Sequence, residues 1–215
     1  MNIIDISPLI SPNIDVWPGD VGYRRNLAMD MQRGDHLTLS SIQTTLHLGA
    51  HADAPNHYHK DGCDIAERDL SLYFGPCQVI EVNIARGERV QPHHLHSALK
   101  LSGGDLQAPR VLFKTGSFPD HENWNSDFNS LSPELIEELA INGVQLVGLD
   151  TPSIDPQDAK VLHAHHAVAE NDMAILEGLV LDHVQPGLYS LCALPLKIAD
   201  ADASPVRAVL MQVSA

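Results

Sequence analysis

Residues 37–57 read LTLSSIQTTLHLGAHADAPNH, a strand-like run that leads into a segment rich in histidine. The first part has the composition of a β-strand, and the second places three histidines and an aspartate around Gly49 and Pro55. In a fully extended strand, His47 and His51 would lie about 13 Å apart, too far to bind one ion at about 2 Å. The chain must therefore bend here. Gly49 permits the bend, and Pro55 stiffens the segment beyond it.

The polar side chains of this segment form a candidate metal site. They are His47, His51, Asp53 and His57, all at odd positions, so an extended chain would direct them to one side. A single histidine usually caps a turn or bonds to the backbone, but this combination around a bend favours metal binding. Two imidazoles and one carboxylate suffice for one catalytic zinc with an open position. A second metal would need another acid and another imidazole.

Residues 161–180, VLHAHHAVAENDMAILEGLV, supply both of these ligand types. Glu177 interrupts an apolar run, where a buried carboxylate is costly unless it is paired or bound to a metal. His163, His165 and His166 each offer an imidazole, and we expect at least one of them to lie on a solvated helix face. The residues alone leave open which of the three is a ligand.

Strand-like segments interleaved with a few helices predict an α/β fold. Ser132 is a predicted N-cap for a helix that begins at Pro133 and ends before Gly143, and a second helix is predicted over Pro92–Leu99. Strands are predicted over Ile3–Ile6, Leu37–Leu48, Pro76–Ile84, Val111–Thr115, Val144–Leu149, Leu188–Ile198 and Val206–Val213. With no Gly/Ser-rich linker and no repeat, residues 1–215 are expected to form one compact domain with a mixed sheet. The segment 120–130 is predicted to be a surface loop.

Composition narrows the function classes. A formal net charge of -15 argues against nucleic-acid partners, because a polyanion would be repelled. The chain carries no apolar run long enough for a membrane span and begins without a basic segment typical of a signal peptide. The widely spaced Cys63, Cys77 and Cys192 fit a reduced, cytoplasmic setting.

Four motifs carry a family resemblance. They are DVWPGD at residues 15–20, HLGAHADAPNHY at 47–58, GLDTPS at 148–153, and AHHAV at 164–168 followed by AILEGLVLD at 174–182. In order and spacing they resemble bacterial kynurenine formamidases, the arylformamidases of the metal-dependent cyclase superfamily. The wider superfamily often has threonine where Ala50 stands, a departure that removes no ligand.

The resemblance implies a fold and a metal site. The implied fold is a compact α/β domain of the swivelling β/α/β type, with a barrel-like mixed sheet and a few flanking helices, assembled as a homodimer. The implied ligands of a first metal are His47, His51 and Asp53. Asp53 and Glu177 would bridge to a second metal, and His165 would complete that second site.

The resemblance also implies a reaction, the hydrolysis of N-formyl-L-kynurenine to L-kynurenine and formate in tryptophan degradation. Two zinc ions per subunit are expected, although the ligand types also admit manganese or another divalent ion. A metal-activated hydroxide would attack the formyl carbon, and His57 would serve as general acid and base. Trp17 would stack on the aryl ring, whereas without the resemblance it would be taken as a core or turn aromatic.

Two alternatives remain open. Another hydrolase of the same superfamily, which opens a cyclic amide such as isatin, would have the same metal ligands and a different pocket. A noncatalytic metal-binding protein would instead close its coordination shell, with His57 among the ligands. An open metal position beside an unligated His57 would favour the enzyme.

Overall fold

Runs of β-branched and apolar residues form the strands of the computed structural model, which describes residues 2–102 and 104–212. The strands are β1 (Ile3–Asp5), β2 (Arg24–Met29), β3 (Leu39–Gln43), β4 (His51–Asp53), β5 (Phe74–Glu81), β6 (Arg89–Val90), β7 (Arg110–Lys114), β8 (Ser130–Leu131), β9 (Leu146–Leu149), β10 (Ala174–Glu177), β11 (Gly187–Cys192), β12 (Ala203–Pro205) and β13 (Val209–Gln212). The α-helices are α1 (Pro55–Tyr58), α2 (Pro92–Ser102), α3 (Pro133–Ile141) and α4 (His163–Glu170). Across the described ranges, the helices lack the length and apolar character that a membrane crossing requires.

The main sheet has nine strands in the order β1-β13-β11-β5-β7-β9-β10-β4-β12. Its central strands, β5, β7, β9 and β10, are parallel, and antiparallel pairs extend it on both sides. The sheet curls into a half-barrel flanked by the four helices of the described chain. This confirms the predicted α/β class with a mixed, barrel-like sheet and few helices.

The parallel centre of the sheet is buried on both faces, which explains its nearly continuous apolar sequence. Side chains alternate along β7, so that Val111 and Phe113 enter one hydrophobic cluster and Leu112 enters the other. Helices α2, α3 and α4 cover the first cluster, while β11 and β13 contribute to the second. Each fully buried side chain of this size contributes about 1.5–3 kcal/mol to folding.

Helix α3 forms where its capping signals predict. The Ser132 hydroxyl accepts a hydrogen bond from the Leu135 N–H at 3.2 Å, and Pro133 occupies the first turn. Gly143 follows the helix with a positive φ of 81°. Helix α2 is longer than predicted and continues to Ser102.

The predicted strand over residues 37–48 is wrong in its second half. Only Leu39–Gln43 is a strand, and it pairs with β2 in a hairpin separate from the main sheet. The chain then turns through Gly49, at φ 55°, and enters the main sheet as β4. Pro55 begins α1 directly after that strand. The bend at Gly49 and the conformationally restricted Pro55 therefore lie where the sequence predicted them.

Strands that the sequence does not predict, and shifted strand ends, account for most of the other differences. The sequence does not predict β4, β10 and β12, each three or four residues long, because alternation cannot be recognised over so few positions. It also predicts neither the two-residue strands β6 and β8 nor the six-residue strand β2, whose sequence RRNLAM begins with polar residues. The predicted strand over 188–198 ends at Cys192, shortly before Pro195, which lacks a backbone donor. The strand predicted over 206–213 forms over Val209–Gln212, and Val213 lies outside the described residues.

A close backbone contact joins the bend to the end of β10. Gly178 has φ 65°, and a Cβ atom added to it would stand 2.1 Å from the carbonyl oxygen of Gly49. The same carbonyl oxygen lies 2.8 Å from Nδ1 of His51. The absence of a side chain at Gly178 thus allows two distant segments to meet beside His51 and Glu177.

Replacing Gly178 by alanine is expected to destabilise the fold, because the added methyl group collides with backbone. We expect Gly178→Ala to lower the free energy of unfolding by at least about 2 kcal/mol more than Gly116→Ala, the difference reflecting overpacking. Gly116 is a matched control, since it has the same φ of 65° and open space around its would-be Cβ. Equal losses for the two variants in urea unfolding would contradict this account.

Candidate metal centre

Strands β4 and β10 bring the buried carboxylates together. They pair antiparallel, with His51 opposite Glu177 and Asp53 opposite Ile175. Because side chains two positions apart share a face of a strand, His51 and Asp53 point the same way. The structure thus places Glu177 beside the residues of the HADAP segment, although 124 positions separate Asp53 from Glu177 (177 − 53).

Helix α4 contributes one imidazole to this cluster. His165 is buried, and its Nε2 lies 3.4 Å from Oδ2 of Asp53 and 3.6 Å from Oε1 of Glu177. His163 and His166 are exposed on the same helix. The helical turn therefore presents one of the three candidate histidines to the cluster and leaves the other two outside it.

The remaining predicted ligands surround Asp53. Nδ1 of His47 lies 3.0 Å from Oδ1 of Asp53, and Nε2 of His51 lies 3.5 Å from the same oxygen. Nε2 of His51 also stands 3.3 Å from Oε2 of Glu177. All five predicted metal ligands therefore converge on one location.

The side-chain donor atoms of this cluster are placed well for coordinating divalent cations and poorly for hydrogen bonds to one another. Both carboxylate oxygens of Asp53 and Nε2 of His51 are buried, yet within the described residues none of them has a hydrogen bond of acceptable geometry. The short separation between His47 and Asp53 is thus a contact of opposite charges without good alignment. Donor atoms of His47, His51 and Asp53 all lie within 4.8 Å of one another, as do those of Asp53, His57 and His165. These donors could hold zinc-like ions.

Neighbouring groups orient the predicted ligands. Nδ1 of His165 lies 2.8 Å from Oδ2 of Asp155, whose other oxygen binds Arg89 at 2.9 Å. The Ile154 N–H donates to Oε1 of Glu177 at 2.7 Å. Asp155 is not among the site residues predicted from the sequence. The available signal is its position two residues after the GLDTPS motif, which ends at Ser153. Carboxylates of this kind fix the tautomer and the direction of a ligating histidine.

The electrostatics of the metal-free cluster reflect the buried carboxylates. Burial opposes protonation of His47, yet the adjacent carboxylates of Asp53 and Asp202 raise its pKa to about 9. Burial opposes protonation of His165 as well, but Asp155 and Asp53 raise its pKa to about 10. Burial would raise the pKa of Asp53, whereas the surrounding histidines hold it well below its usual value. Protons on the histidines thus supply the positive charge that cations would bring.

His57 lies at the edge of the cluster, on α1. Its side chain is 33% exposed, and its ring lies 4.3 Å from that of His47 and 6.1 Å from that of His165. Burial lowers the pKa of His57, which favours a neutral imidazole. The expectation that one extended segment would carry all four residues is therefore wrong at His57. His57 approaches the cluster from a helix, because Pro55 ends the strand.

A cavity of about 280 Å³ opens onto these residues. His47, His51, His57, His165 and Glu177 line one part of it, and Trp17, Phe118, His121 and Trp124 line another. The rings of Trp17 and Trp124 meet edge to face at a centroid distance of 5.5 Å.

The segment predicted as a surface loop forms part of this aromatic wall. Residues 120–130 are largely irregular, but Trp124 lines the cavity and Phe128 is buried. The ring of Phe118 lies 5.4 Å from that of Trp124. The polar composition of the segment concealed this role, because its few aromatic residues carry the packing.

Residues 4–156 match the sequence profile of the Cyclase family, described as "Putative cyclase". The chain belongs to this family. The matched range includes the HADAP segment and Asp155. His165 and Glu177 of this protein lie beyond it.

Solved structures share the Cyclase-family fold over nearly the whole chain. A potential metal-dependent hydrolase with cyclase activity is 24% identical, with a TM-score of 0.80 and coverage of 97% of this chain and 96% of its own. A predicted metal-dependent hydrolase from Bacillus stearothermophilus is 24% identical, with a TM-score of 0.79 and 97% coverage of both chains. Isatin hydrolase A from Labrenzia aggregata, bound to benzyl benzoate, is 22% identical, with a TM-score of 0.83 and coverage of 99% and 94%. At these levels of sequence identity, the structural similarity establishes a shared fold.

Metal binding is expected to tighten as pH rises. His47 and His165 retain protons in the metal-free protein below pH values of about 9 and about 10, and ligating histidines must release them. Zinc affinity, measured by chelator competition, should therefore increase from about pH 6 to about pH 8, with protons released on binding. His163→Ala, on the exposed side of α4, should leave this slope unchanged. A zinc affinity independent of pH would show that these two histidines are not ligands.

Proposed function

We propose that this protein is a kynurenine formamidase, a metal-dependent arylformamidase that hydrolyses N-formyl-L-kynurenine to L-kynurenine and formate. The observation that carries the proposal is the position of the aromatic-walled cavity, which is lined by Glu177 and by His51, whose buried Nε2 has no hydrogen-bond partner among the described residues. An aryl amide needs both features. Its ring requires an apolar wall, and its carbonyl carbon requires an activated nucleophile.

The side chains divide the chemistry of the proposed reaction. Divalent cations, when bound, would lower the pKa of water and polarise the formyl oxygen. Asp53 and Glu177 would hold the cations, with His47, His51 and His165 as the imidazole ligands. His57 would accept a proton from the nucleophile and donate it to the departing aryl nitrogen, which is a poor leaving group as an anion.

The position of His57 suits this proton transfer. Its side chain lines the cavity and is partly exposed, so it can reach a bound molecule. Its lowered pKa leaves the imidazole neutral and able to accept a proton at neutral pH. Trp17, Phe118 and Trp124 would face the ring of the substrate and hold its amide towards the cations.

The proposed reaction is tested by a spectrophotometric assay of N-formyl-L-kynurenine, with isatin as a comparator substrate. We expect turnover of the formyl substrate to exceed that of isatin, to disappear with a chelator and to return with Zn²⁺ or Mn²⁺. An absence of chelator-sensitive turnover of N-formyl-L-kynurenine would refute the proposal. Preferential opening of isatin would identify the cyclic-amide alternative instead.

Replacement of His57 by alanine is expected to separate metal binding from catalysis. His57→Ala should keep its metal and lower kcat by about 10²- to 10⁴-fold, the usual contribution of general acid–base catalysis. His59→Ala is the matched control, because this exposed histidine lies two positions on and outside the wall of the cavity. Metal content by elemental analysis is measured with kcat. An unchanged kcat would exclude His57 from the mechanism.

Two alternatives make different predictions about the same residues. The isatin hydrolases share the fold, with TM-scores of 0.83 and 0.82, so a cyclic-amide substrate is the nearest alternative. A noncatalytic metal-binding protein would use His57 as a ligand, and its donor atom does lie within 4.8 Å of those of Asp53 and His165. In that case His57→Ala would lose metal, an outcome distinct from the one expected for the enzyme.

We also propose that the protein forms a homodimer, and the exposed β2–β3 hairpin supports this. Its large apolar side chains are uncovered, with Met31 61%, Leu39 54% and Ile42 63% exposed. Residues 24–43 carry three arginines and two aspartates, whereas the whole chain has a net charge of -15, so a second copy offers charge complementarity. A constant monomer mass in light scattering would refute the dimer. The cytoplasmic location and the absence of nucleic-acid and membrane partners remain predictions.

A further inference from the structure

A carboxylate outside the predicted ligand set lies against the metal centre. Asp202, just before β12, places Oδ2 3.0 Å from Nε2 of His47 and 3.7 Å from Nδ1 of His57. Its main chain is fixed independently of the side chain, because its carbonyl accepts a hydrogen bond from the Ala54 N–H at 2.9 Å. One oxygen atom therefore faces both a predicted metal ligand and the predicted acid–base residue.

The ring of His47 has a carboxylate at each nitrogen. Nδ1 faces Asp53 at 3.0 Å, and Nε2 faces Asp202 at 3.0 Å. A neutral imidazole has one N–H, and donation of that proton to Asp202 leaves the lone pair of Nδ1 directed towards Asp53. Asp202 therefore favours the tautomer of His47 that can bind a cation on the Asp53 side.

His165 shows the same arrangement on the other side of the cluster. Its Nδ1 lies 2.8 Å from Asp155, and its Nε2 faces Asp53 at 3.4 Å. Carboxylates at the outer nitrogen are usual partners of metal-binding histidines. The two acids differ in their surroundings, since the side chain of Asp155 is fully buried, whereas that of Asp202 is 47% exposed and shared with His57.

We propose that Asp202 is a positioning residue that orients His47 for metal binding and holds His57 beside it. Its effect on turnover rests on the proposed hydrolase function, whereas its effect on metal binding requires no substrate. In this role Asp202 acts through the two imidazoles. Its removal should therefore weaken metal binding and slow turnover without removing a metal site. The carboxylate oxygen of Asp202 also lies within 4.8 Å of donor atoms of His47 and His57, so a direct ligand role is the competing outcome that the zinc content decides.

The test compares Asp202→Ala and Asp202→Asn with the parent protein, using Zn²⁺ as the probe. We expect Asp202→Ala to bind zinc about 10- to 100-fold more weakly in chelator competition, as found for other outer partners of ligating histidines. Asp202→Asn retains an oxygen acceptor and should lose less. The zinc content at saturation should stay that of the parent. Asp61→Asn removes one charge from the exposed loop after α1, where the side chain is 74% exposed, and serves as the control.

A second measurement reports orientation directly. In zinc-saturated protein labelled with ¹⁵N-histidine, NMR should show His47 with its proton on Nε2 in the parent and in Asp61→Asn. The signal should change in Asp202→Ala. With N-formyl-L-kynurenine, kcat should fall while KM changes little, because Asp202 is not among the residues that line the cavity. Should the alanine variant fail to fold, Asp202→Asn provides the same comparisons.

The outcomes separate this proposal from the proposed function. Parental zinc affinity and unchanged His47 signals in both Asp202 variants would overturn the positioning role. Loss of one zinc equivalent at saturation would make Asp202 a ligand and would overturn it as well. If the parent failed to hydrolyse the formyl substrate while Asp202→Ala still weakened zinc binding, the positioning role would stand without the proposed reaction.

Discussion

The buried carboxylate of Asp53 is the constraint on which the rest of the site depends. Asp53 is 2% exposed, and a charge that has left water is tolerated only where positive charge surrounds it. His47 and His165, whose pKa values are raised, provide that charge as imidazolium, and bound cations would provide it when His47, His51 and His165 act as ligands. The fold around Asp53 is arranged to bring these rings to it. They come from a bend, from a strand and from a helix separated along the chain.

Backbone geometry makes this convergence possible. Strand β4 lies between β10 and β12, so its backbone is paired on both sides, and the side chain of Asp53 is buried beneath the surrounding rings. The bend at Gly49 returns His47 to the same location, and the contact between Gly49 and Gly178 closes the space beside Glu177. A larger residue at Gly178 would separate the two carboxylate-bearing segments, because its Cβ would collide with the Gly49 carbonyl oxygen. The metal centre and the stability of the sheet therefore depend on the same contacts.

Three layers of groups around Asp53 support the proposed reaction. The innermost consists of donor atoms without aligned partners among the described residues, which suits cations. Outside it, Asp155 and Asp202 hold the far nitrogens of two imidazoles. The third layer is the cavity, where aromatic rings face the cluster across a space large enough for a small aryl substrate. His57 stands between the second and third layers, where a proton can pass to a bound molecule.

Local chemistry allowed several features to be predicted from the sequence. The helix capped by Ser132, the bend at Gly49, the α/β class and the clustering of ligand types in two segments all depend on neighbouring residues. The predictions failed where elements were short or where polar segments contained buried rings. The strands β4 and β10, the cavity-lining ring of Trp124 and the buried ring of Phe128 are such cases, because their structure is imposed by contacts with distant parts of the chain.

The amino-acid sequence by itself determined which chemistry is available, namely imidazoles and carboxylates around a glycine bend and a buried glutamate further on. Only the tertiary structure decided which of them meet. The phase of α4 directs His165 inwards and His163 and His166 outwards, and sheet pairing sets Glu177 opposite His51. Asp202 joins them although no motif marks it. The physical reason is that a metal site is defined by distances through space, which strand pairing and helix packing set.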